Sequence, residues 1–440
     1  MKRIILCSLA LALPTALAAA GQPAPAARPN LAVVADFPGG SAEVASIDQA
    51  ARLIRLRPAD HPGRGWRCWW YFKVTGLVPG ETLTFEMTAD GFGLPDCAAA
   101  GTDDRTWRQT EAGSRAKGSV TYRHKAEAAE MYFAWGPPYL PRDAEDFIRR
   151  AEKTCPQARG FELCRTLEDR PVPALRLTPP RAPPGAPAAP SDAAPASPPA
   201  QPAAPSGVPS AAAPAQSAAR SAPPPAIWVQ ARQHAWESGG SWVGQGLAEW
   251  LISDDPRAAA LRARAEVIFI PIMDVDNVVR GAGGKNESPQ DHNRDWSDHP
   301  HWRSVQAAQR LIRDLAAEGR LALFLDLHNP GPNERDMYFY CGPRDMMAAP
   351  QVADLEAFMK AAVAEMKGPP VFKGALRETG PKYDPKNWQR MSKNWVNANS
   401  PKTVALTLET GWNHPAGTAD GYREVGRQLG LTVEQYMRSR

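Results

Sequence analysis

The chain has 440 residues, among them 45 prolines and 14 tryptophans, and its 51 basic and 47 acidic side chains leave a formal net charge of +4. At about 150 residues per domain this length predicts two or three domains, and the composition excludes a wholly disordered chain, a coiled coil and a collagen-like rod. With Lys2 and Arg3 removed in a leader the charge falls to +2, too weak a field for a nucleic-acid partner.

Residues 1–20 hold Lys2 and Arg3, an apolar run from Ile4 to Leu13, a break at Pro14 and small residues through Ala20. These are the three regions of a secretory signal peptide, and the run is shorter than the ~20 residues a membrane-spanning helix needs. The mature protein is expected to be exported, into a bacterial periplasm, without stable membrane insertion. Five cysteines follow: Cys68, Cys97, Cys155, Cys164 and Cys341. In an oxidising compartment Cys155 and Cys164 are the expected disulfide pair.

Residues 30–176 open with short alternating strands between Gly and Asp turns: Cys68 to Val74, Thr82 to Thr88, Ser119 to Arg123 and Glu130 to Trp135. That spacing predicts a small antiparallel β-sandwich. A short helix from Asp143 to Lys153 and the cysteine loop close this unit. Sixteen of the 45 prolines then fall between Pro179 and Pro225, among alanine, serine and glutamine. Such a composition cannot build a core, so residues 177–226 read as an extended linker or insertion.

From residue 227 to 440 strands and helices alternate. Strands are expected at Ile227 to Gln233, Glu266 to Ile272, Leu321 to Leu327 and Thr403 to Leu408. Helices are expected at Ser241 to Ile252, His301 to Ala317, Val352 to Met366 and from Thr418 onward. This order predicts an α/β domain with a parallel or mixed sheet, whose ligands gather at strand C-terminal ends. Three of those ends carry ionisable groups. The first strand runs into His234 and Glu237, the third into His328 and the fourth into Glu409. Two histidines and a carboxylate make a three-ligand set that leaves one position of a zinc ion open. Asn293 and Arg294 follow a Gly-rich loop, and a guanidinium beside an amide grips a carboxylate in two places.

The set His234, Glu237, Asp291, Asn293, Arg294, His328 and Glu409, in this order, resembles the zinc metallocarboxypeptidases of the funnelin type. The stretch Pro271 to Val278 looks like that family's Asn-Pro-Asp-Gly-Val turn. The strand Trp70 to Val74 and the segment Tyr132 to Tyr139 are similar to the cytosolic-carboxypeptidase-like branch, here in an exported bacterial form. The resemblance implies an N-terminal antiparallel β-sandwich followed by an α/β zinc-carboxypeptidase domain with a mixed sheet flanked by helices. It further implies one Zn2+ per chain held by His234, Glu237 and His328, with Glu409 as general base and acid. Asn293 and Arg294 would bind the substrate's C-terminal carboxylate, and Asp291 would orient His234. The chain departs from the family at Ala235 and Trp236, where Pro and Gly are usual, and at Asp274 to Asn277. The family's carbonyl-polarising arginine falls at Gly284, with Lys285 adjacent and Arg280 four residues earlier, and Lys285 takes the role here. Tyr383 stands where a substrate-side tyrosine is expected.

The function implied is a zinc-dependent metallocarboxypeptidase acting on peptide or protein C-termini. Two alternatives fit the same residues: a zinc amidase or deacylase acting on acylated amino acids or cell-wall peptides, and a catalytically degenerate binding protein. The latter would use Trp66, Trp69, Trp70, Tyr71 and Phe72 as a surface, against which stands the packing role that alternation on a strand gives about half of them.

Overall fold

The structure is a computed structural model that describes residues 28–89, 91–180 and 222–440. The signal-like residues 1–20 and most of the Pro/Ala segment lie outside the described residues.

Alternation builds the N-terminal unit. In Thr82–Thr88 the residues Leu83, Phe85 and Met87 are buried while Thr84 and Glu86 between them are partly exposed. Two five-stranded sheets result. One runs in the order Ala32–Val34, Tyr71–Thr75, Glu130–Ala134, Ala99–Gly101, Arg108–Gln109, and every neighbour pair in it is antiparallel. The other runs Glu43–Asp48, Leu53–Arg57, Thr82–Thr88, Ser119–Lys125, Ser114–Ala116, antiparallel except for the parallel pairing of Leu53–Arg57 with Thr82–Thr88. The inner faces meet edge to face, with Phe72 and Phe85 centroids 5.6 Å apart at 85°. Each such ring stabilises the fold by roughly 1.5–3 kcal/mol through burial alone. Trp69, Trp70, Tyr71 and Phe72 all belong to this buried core, and of the five aromatics only Trp66 reaches the surface.

The C-terminal unit is an eight-stranded mixed sheet. At its centre lie four parallel strands, Glu266–Ile270, Ala226–Ala231, Leu321–His328 and Val404–Glu409. They are buried nearly throughout, as strands covered on both faces must be. Tyr338–Cys341 pairs antiparallel to the last of these and carries Leu376–Glu378 at the edge. The helices Ser238–Leu251 and Ala419–Arg438 pack on each other. Their approach needs glycine: a Cβ on Gly426 would lie 2.0 Å from the Val243 carbonyl oxygen.

Two expectations are corrected. The boundary at residue 176 fails, because Ala158–Arg165 and Pro171–Leu177 form a hairpin that extends the C-terminal sheet, Pro171–Leu177 pairing antiparallel with Glu266–Ile270. Of the two readings of the Pro/Ala segment, linker and insertion, the second fits, since the described strands on either side of it belong to the same sheet. Cys155 and Cys164 are both free. They sit on either side of most of the strand Ala158–Arg165, and at about 3.3 Å per residue that separation far exceeds the ~7 Å limit for a bridge.

Candidate active site

Register brings the polar strand ends together. His328 and Glu409 are the last residues of neighbouring parallel strands and are paired directly, while Ala231, three residues before His234, pairs with Leu327. Glu237 is the residue before the helix Ser238–Leu251, where exposed backbone N–H groups favour a carboxylate. That helix starts close to the sheet because it begins with glycines: a Cβ on Gly240 would lie 2.5 Å from the Leu327 carbonyl oxygen.

Glu237 lies between the two histidines. Its Oε1 is 2.8 Å from His234 Nδ1 and its Oε2 is 2.6 Å from His328 Nδ1. Ligand atoms from the three residues fall within 4.8 Å of one another, and all three residues are buried. Burial opposes the charge on Glu237, but the facing histidines hold its carboxyl down at about 2. The far ring nitrogens are also engaged. His234 Nε2 is 3.3 Å from Asp291 Oδ1, and His328 Nε2 is 3.0 Å from Asp326 Oδ2. Each imidazole thus keeps Nδ1 toward the centre and Nε2 on a buried carboxylate, the arrangement that fixes ring plane and tautomer for a metal-binding histidine. The donor set, two imidazoles and a carboxylate with one side open, fits a catalytic zinc ion.

Asp326 was not picked out by sequence. A charged residue inside the buried strand Leu321–His328, two before His328 and so on its face, is the signal that could have found it. It also accepts hydrogen bonds from Gln233 Nε2 at 2.5 Å and Ser392 Oγ at 2.6 Å. Despite its burial, His328, the Ser392 hydroxyl and the charge of Lys393 hold its carboxyl low.

Around this centre lies a cavity of about 220 Å³, lined by His234, Glu237, Asn293, Arg294, His328 and Glu409, and also by Trp66, Lys285, Tyr383 and Lys393. Glu409 Oε2 is buried without a hydrogen-bond partner among the described residues. Burial chiefly, with the charge of Glu237 added and that of His328 opposed, lifts its carboxyl to about 8. Arg294 is held from the Nε side by Asp384 Oδ2 at 3.0 Å, and Asn293 Oδ1 accepts from the Ser392 backbone N–H at 3.0 Å. Lys393, also missed by sequence, is buried within the helix Ser392–Asn399. Its Nζ contacts the Met391 sulfur at 4.0 Å and lies 5.5 Å from the centroid of the Tyr340 ring. It forms no direct ion pair among the described residues, and burial lowers its ammonium to about 8 against the opposing charges of Asp326 and Glu409.

The departures at Ala235 and Trp236 have a physical reading. Trp236 is buried between the two units, stacked on Trp412 at 5.6 Å and edge-on to Phe92 and Trp135 of the N-terminal unit. Lys285 lines the cavity with its Nζ 3.1 Å from Asp291 Oδ2 and 5.6 Å from the centroid of Trp66. Arg280 turns away to an ion pair with Glu168 at 2.7 Å. Tyr383 is half exposed at the cavity, its ring 5.5 Å from that of Tyr340. Lys285 is placed by its loop: Gly284 has φ of +76°, and a Cβ there would meet Asp274 Oδ2 at 2.6 Å and the Ala235 nitrogen at 2.8 Å. The same loop is stitched to the N-terminal unit by Trp66 N–H to the Lys285 carbonyl at 2.8 Å and Gly284 N–H to the Arg64 carbonyl at 2.9 Å.

Comparison with known proteins gives the same picture. The family model described as zinc carboxypeptidase matches residues 144–328, and that of the cytosolic carboxypeptidase N-terminal domain matches residues 33–135. The first begins in the helix Pro141–Thr154 and takes in the hairpin reassigned above. Cytosolic carboxypeptidase 1 of Danio rerio is 26% identical over 238 residues, which are 52% of this chain and 18% of that protein. The chain spans between a tenth and a quarter of the length of the cytosolic carboxypeptidases 1 from Danio rerio, Gallus gallus and Homo sapiens. A metallo-carboxypeptidase from Burkholderia cenocepacia superposes with a TM-score of 0.73 at 21% identity, covering 93% of this chain and 99% of that one. A metallo-carboxypeptidase from Pseudomonas aeruginosa, solved in complex with (2-guanidinoethylmercapto)succinic acid, gives 0.68 at 19% identity over 92% and 98%. At such identities the likeness is one of fold. Residues 33–135 are thus similar to a cytosolic carboxypeptidase N-terminal domain and residues 144–328 to a zinc carboxypeptidase domain.

Proposed function

We propose that this protein is a zinc-dependent carboxypeptidase that removes a C-terminal residue, with preference for an acidic one. The observation that carries the reading is the bridging of both histidine Nδ1 atoms by the two oxygens of Glu237, with Glu409 on the adjoining strand end. His234, Glu237 and His328 would hold the ion, which when bound supplies Lewis acidity toward a carbonyl and toward water. Asp291 and Asp326 keep the two rings in place. Glu409, with a carboxyl raised by burial and an oxygen left unpaired, takes the proton of the attacking water and hands it to the departing amine. Arg294 and Asn293 receive the terminal carboxylate, which makes the cleavage exopeptidic. Lys285 supports Asp291 and adds positive charge on the same side of the cavity. Lys393 is a buried cation lining the cavity that feels the charges of Asp326 and Glu409 but forms no direct ion pair among the described residues, so an acidic terminal side chain would supply one. Export into a periplasm is part of the same proposal and rests on residues 1–20.

The test pairs metal content with turnover. Wild type should carry zinc that is diminished in His234→Ala and His328→Ala, and should release the last residue from peptides ending in glutamate faster than from peptides ending in leucine. Release of internal fragments, or cleavage of acylated amino acids alone, would defeat the exopeptidase reading.

A further inference from the structure

A second cluster of metal-binding groups lies behind the loop that carries Lys285, Asp291, Asn293 and Arg294, and the proposed reaction does not use it. Asp274, Glu287 and His292 are all buried and bring ligand atoms within 4.8 Å of one another. His292 Nδ1 is 3.0 Å from Glu287 Oε1 and 3.8 Å from Asp274 Oδ2, and its ring is stacked on Trp302 at 4.7 Å with 7° between planes. Asn277 completes the group. Its Nδ2 donates to Asp274 Oδ2 at 2.8 Å and to Glu287 Oε2 at 2.6 Å, which leaves Oδ1, on a side chain 1% exposed, with no partner at all. The oxygen and nitrogen of an amide exchange places by a half-turn, and that half-turn would present Oδ1 to the two carboxylates as a fourth donor. A small cavity of about 10 Å³ borders Asp274 and His292, on the order of the room one water occupies.

Although burial opposes it, Asp274 and Glu287 hold the His292 imidazole up at about 9, so without an ion the ring carries the positive charge between the two buried carboxylates. Burial, with the charge of Asp274 added, lifts the Glu287 carboxyl to about 7. The other buried cation nearby, Arg232, gives its guanidinium hydrogen bonds to the carbonyls of Ala235 and Tyr139 rather than to Asp274. We propose that Asp274, Glu287 and His292, with Asn277 Oδ1, form a second site for a divalent transition-metal ion. One imidazole among oxygen donors favours zinc or a similar ion over the all-oxygen shells of calcium and magnesium. The ion would tie the N-terminus of the short helix Val275–Arg280 to the loop 284–294 and hold that loop against the catalytic strands. The inference stands apart from the peptidase reading, since it concerns a different set of side chains.

The test counts zinc by plasma mass spectrometry in the full chain, reconstituted with zinc and desalted. Wild type should hold about two ions per chain, the double variant His234→Ala/His328→Ala about one, and the same double variant with Glu287→Gln added about none. Zinc should raise the melting temperature of the double variant, an effect of binding to the native state alone, and the Glu287→Gln addition should abolish that rise. Cobalt substituted into the double variant should give visible absorption that His292→Ala removes, a readout that serves if Glu287→Gln fails to fold. No metal in a folded double variant, with no zinc-dependent rise in melting temperature, would overturn the proposal and leave the cluster as a metal-free ion pair of His292 with its carboxylates. A count unchanged by loss of His234 and His328 but lowered by Glu287→Gln would instead uphold this site and defeat the catalytic one.

Discussion

In the proposed reaction single residues divide into those that hold and those that react. Glu409→Gln preserves size and leaves the three ligands in place, so it should reduce kcat by about 10²–10⁴-fold while zinc content stays at the wild-type value. Loss of metal in that variant would move Glu409 into the ligand set. Asp326→Asn acts one contact further out. It exchanges the carboxylate facing His328 Nε2 at 3.0 Å for a neutral amide, and the affinity for zinc should fall about 10–100-fold, read by competition with a chelator. Lys393 gives a pH dependence whose sign follows from its burial. Its ammonium titrates at about 8 in the folded protein against an ordinary 10.5, so between these values the unfolded chain binds the extra proton and stability rises with pH. Below pH 8 the full cost, about 3 kcal/mol, is present. Lys393→Met should raise the melting temperature at pH 7 and flatten its rise between pH 8 and 10.5, while raising KM for peptides ending in glutamate. A variant that melts lower at pH 7 would show that the attraction of Asp326 and Glu409 outweighs the cost of burying the ammonium.

Elements were legible where local pattern and burial agree. The strands Leu321–His328 and Val404–Glu409 are continuous apolar runs ending in a polar residue, and their parallel alignment puts both polar ends on one rim. That is why His328, Glu409, His234 and Glu237 could be grouped from sequence. The hairpin Ala158–Arg165 and Pro171–Leu177 was not legible as part of this sheet. Its first strand is only partly buried and its second begins with Pro171 and Pro173, residues that signal an edge or no strand at all, and sheet membership depends on a partner nearly a hundred residues away. Lys393 gave no local signal because its burial comes from the packing of Tyr340, Met391 and the strand ends around it. The element junction most open to test is the start of the helix Ser238–Leu251. Gly240→Ala would press a methyl onto the Leu327 carbonyl, costing about 1–3 kcal/mol. Because Glu237 immediately precedes that helix, metal content should fall along with the melting temperature. A Gly240→Ala variant that melts lower yet keeps full zinc would separate the helix start from the ligand.

At the scale of the molecule the two units share one interior. Trp236 and Trp412 come from the C-terminal unit, Phe92 and Trp135 from the N-terminal one, and the four rings touch in a single cluster. Polar contacts flank it: Asp96 receives Arg335 Nη2 at 2.7 Å, and its backbone N–H donates to Asn413 Oδ1 at 2.8 Å. The N-terminal unit also presents Trp66 to the cavity and clamps the loop that carries Lys285, so it is part of the site as well as of the fold. An interface built from buried tryptophans couples the two units' unfolding, because neither can open without exposing the other's core. Calorimetry on the wild type should therefore show one transition whose van't Hoff and calorimetric enthalpies agree. Trp236→Ala removes the ring at the centre of the cluster, a loss of about 3–5 kcal/mol for a large buried aromatic. It should lower the melting temperature and split the transition in two, the N-terminal sheets and the eight-stranded C-terminal sheet now melting separately. Two transitions already present in the wild type would mean that the aromatic cluster joins units that fold independently, and the effect of Trp236→Ala would then be confined to one of them.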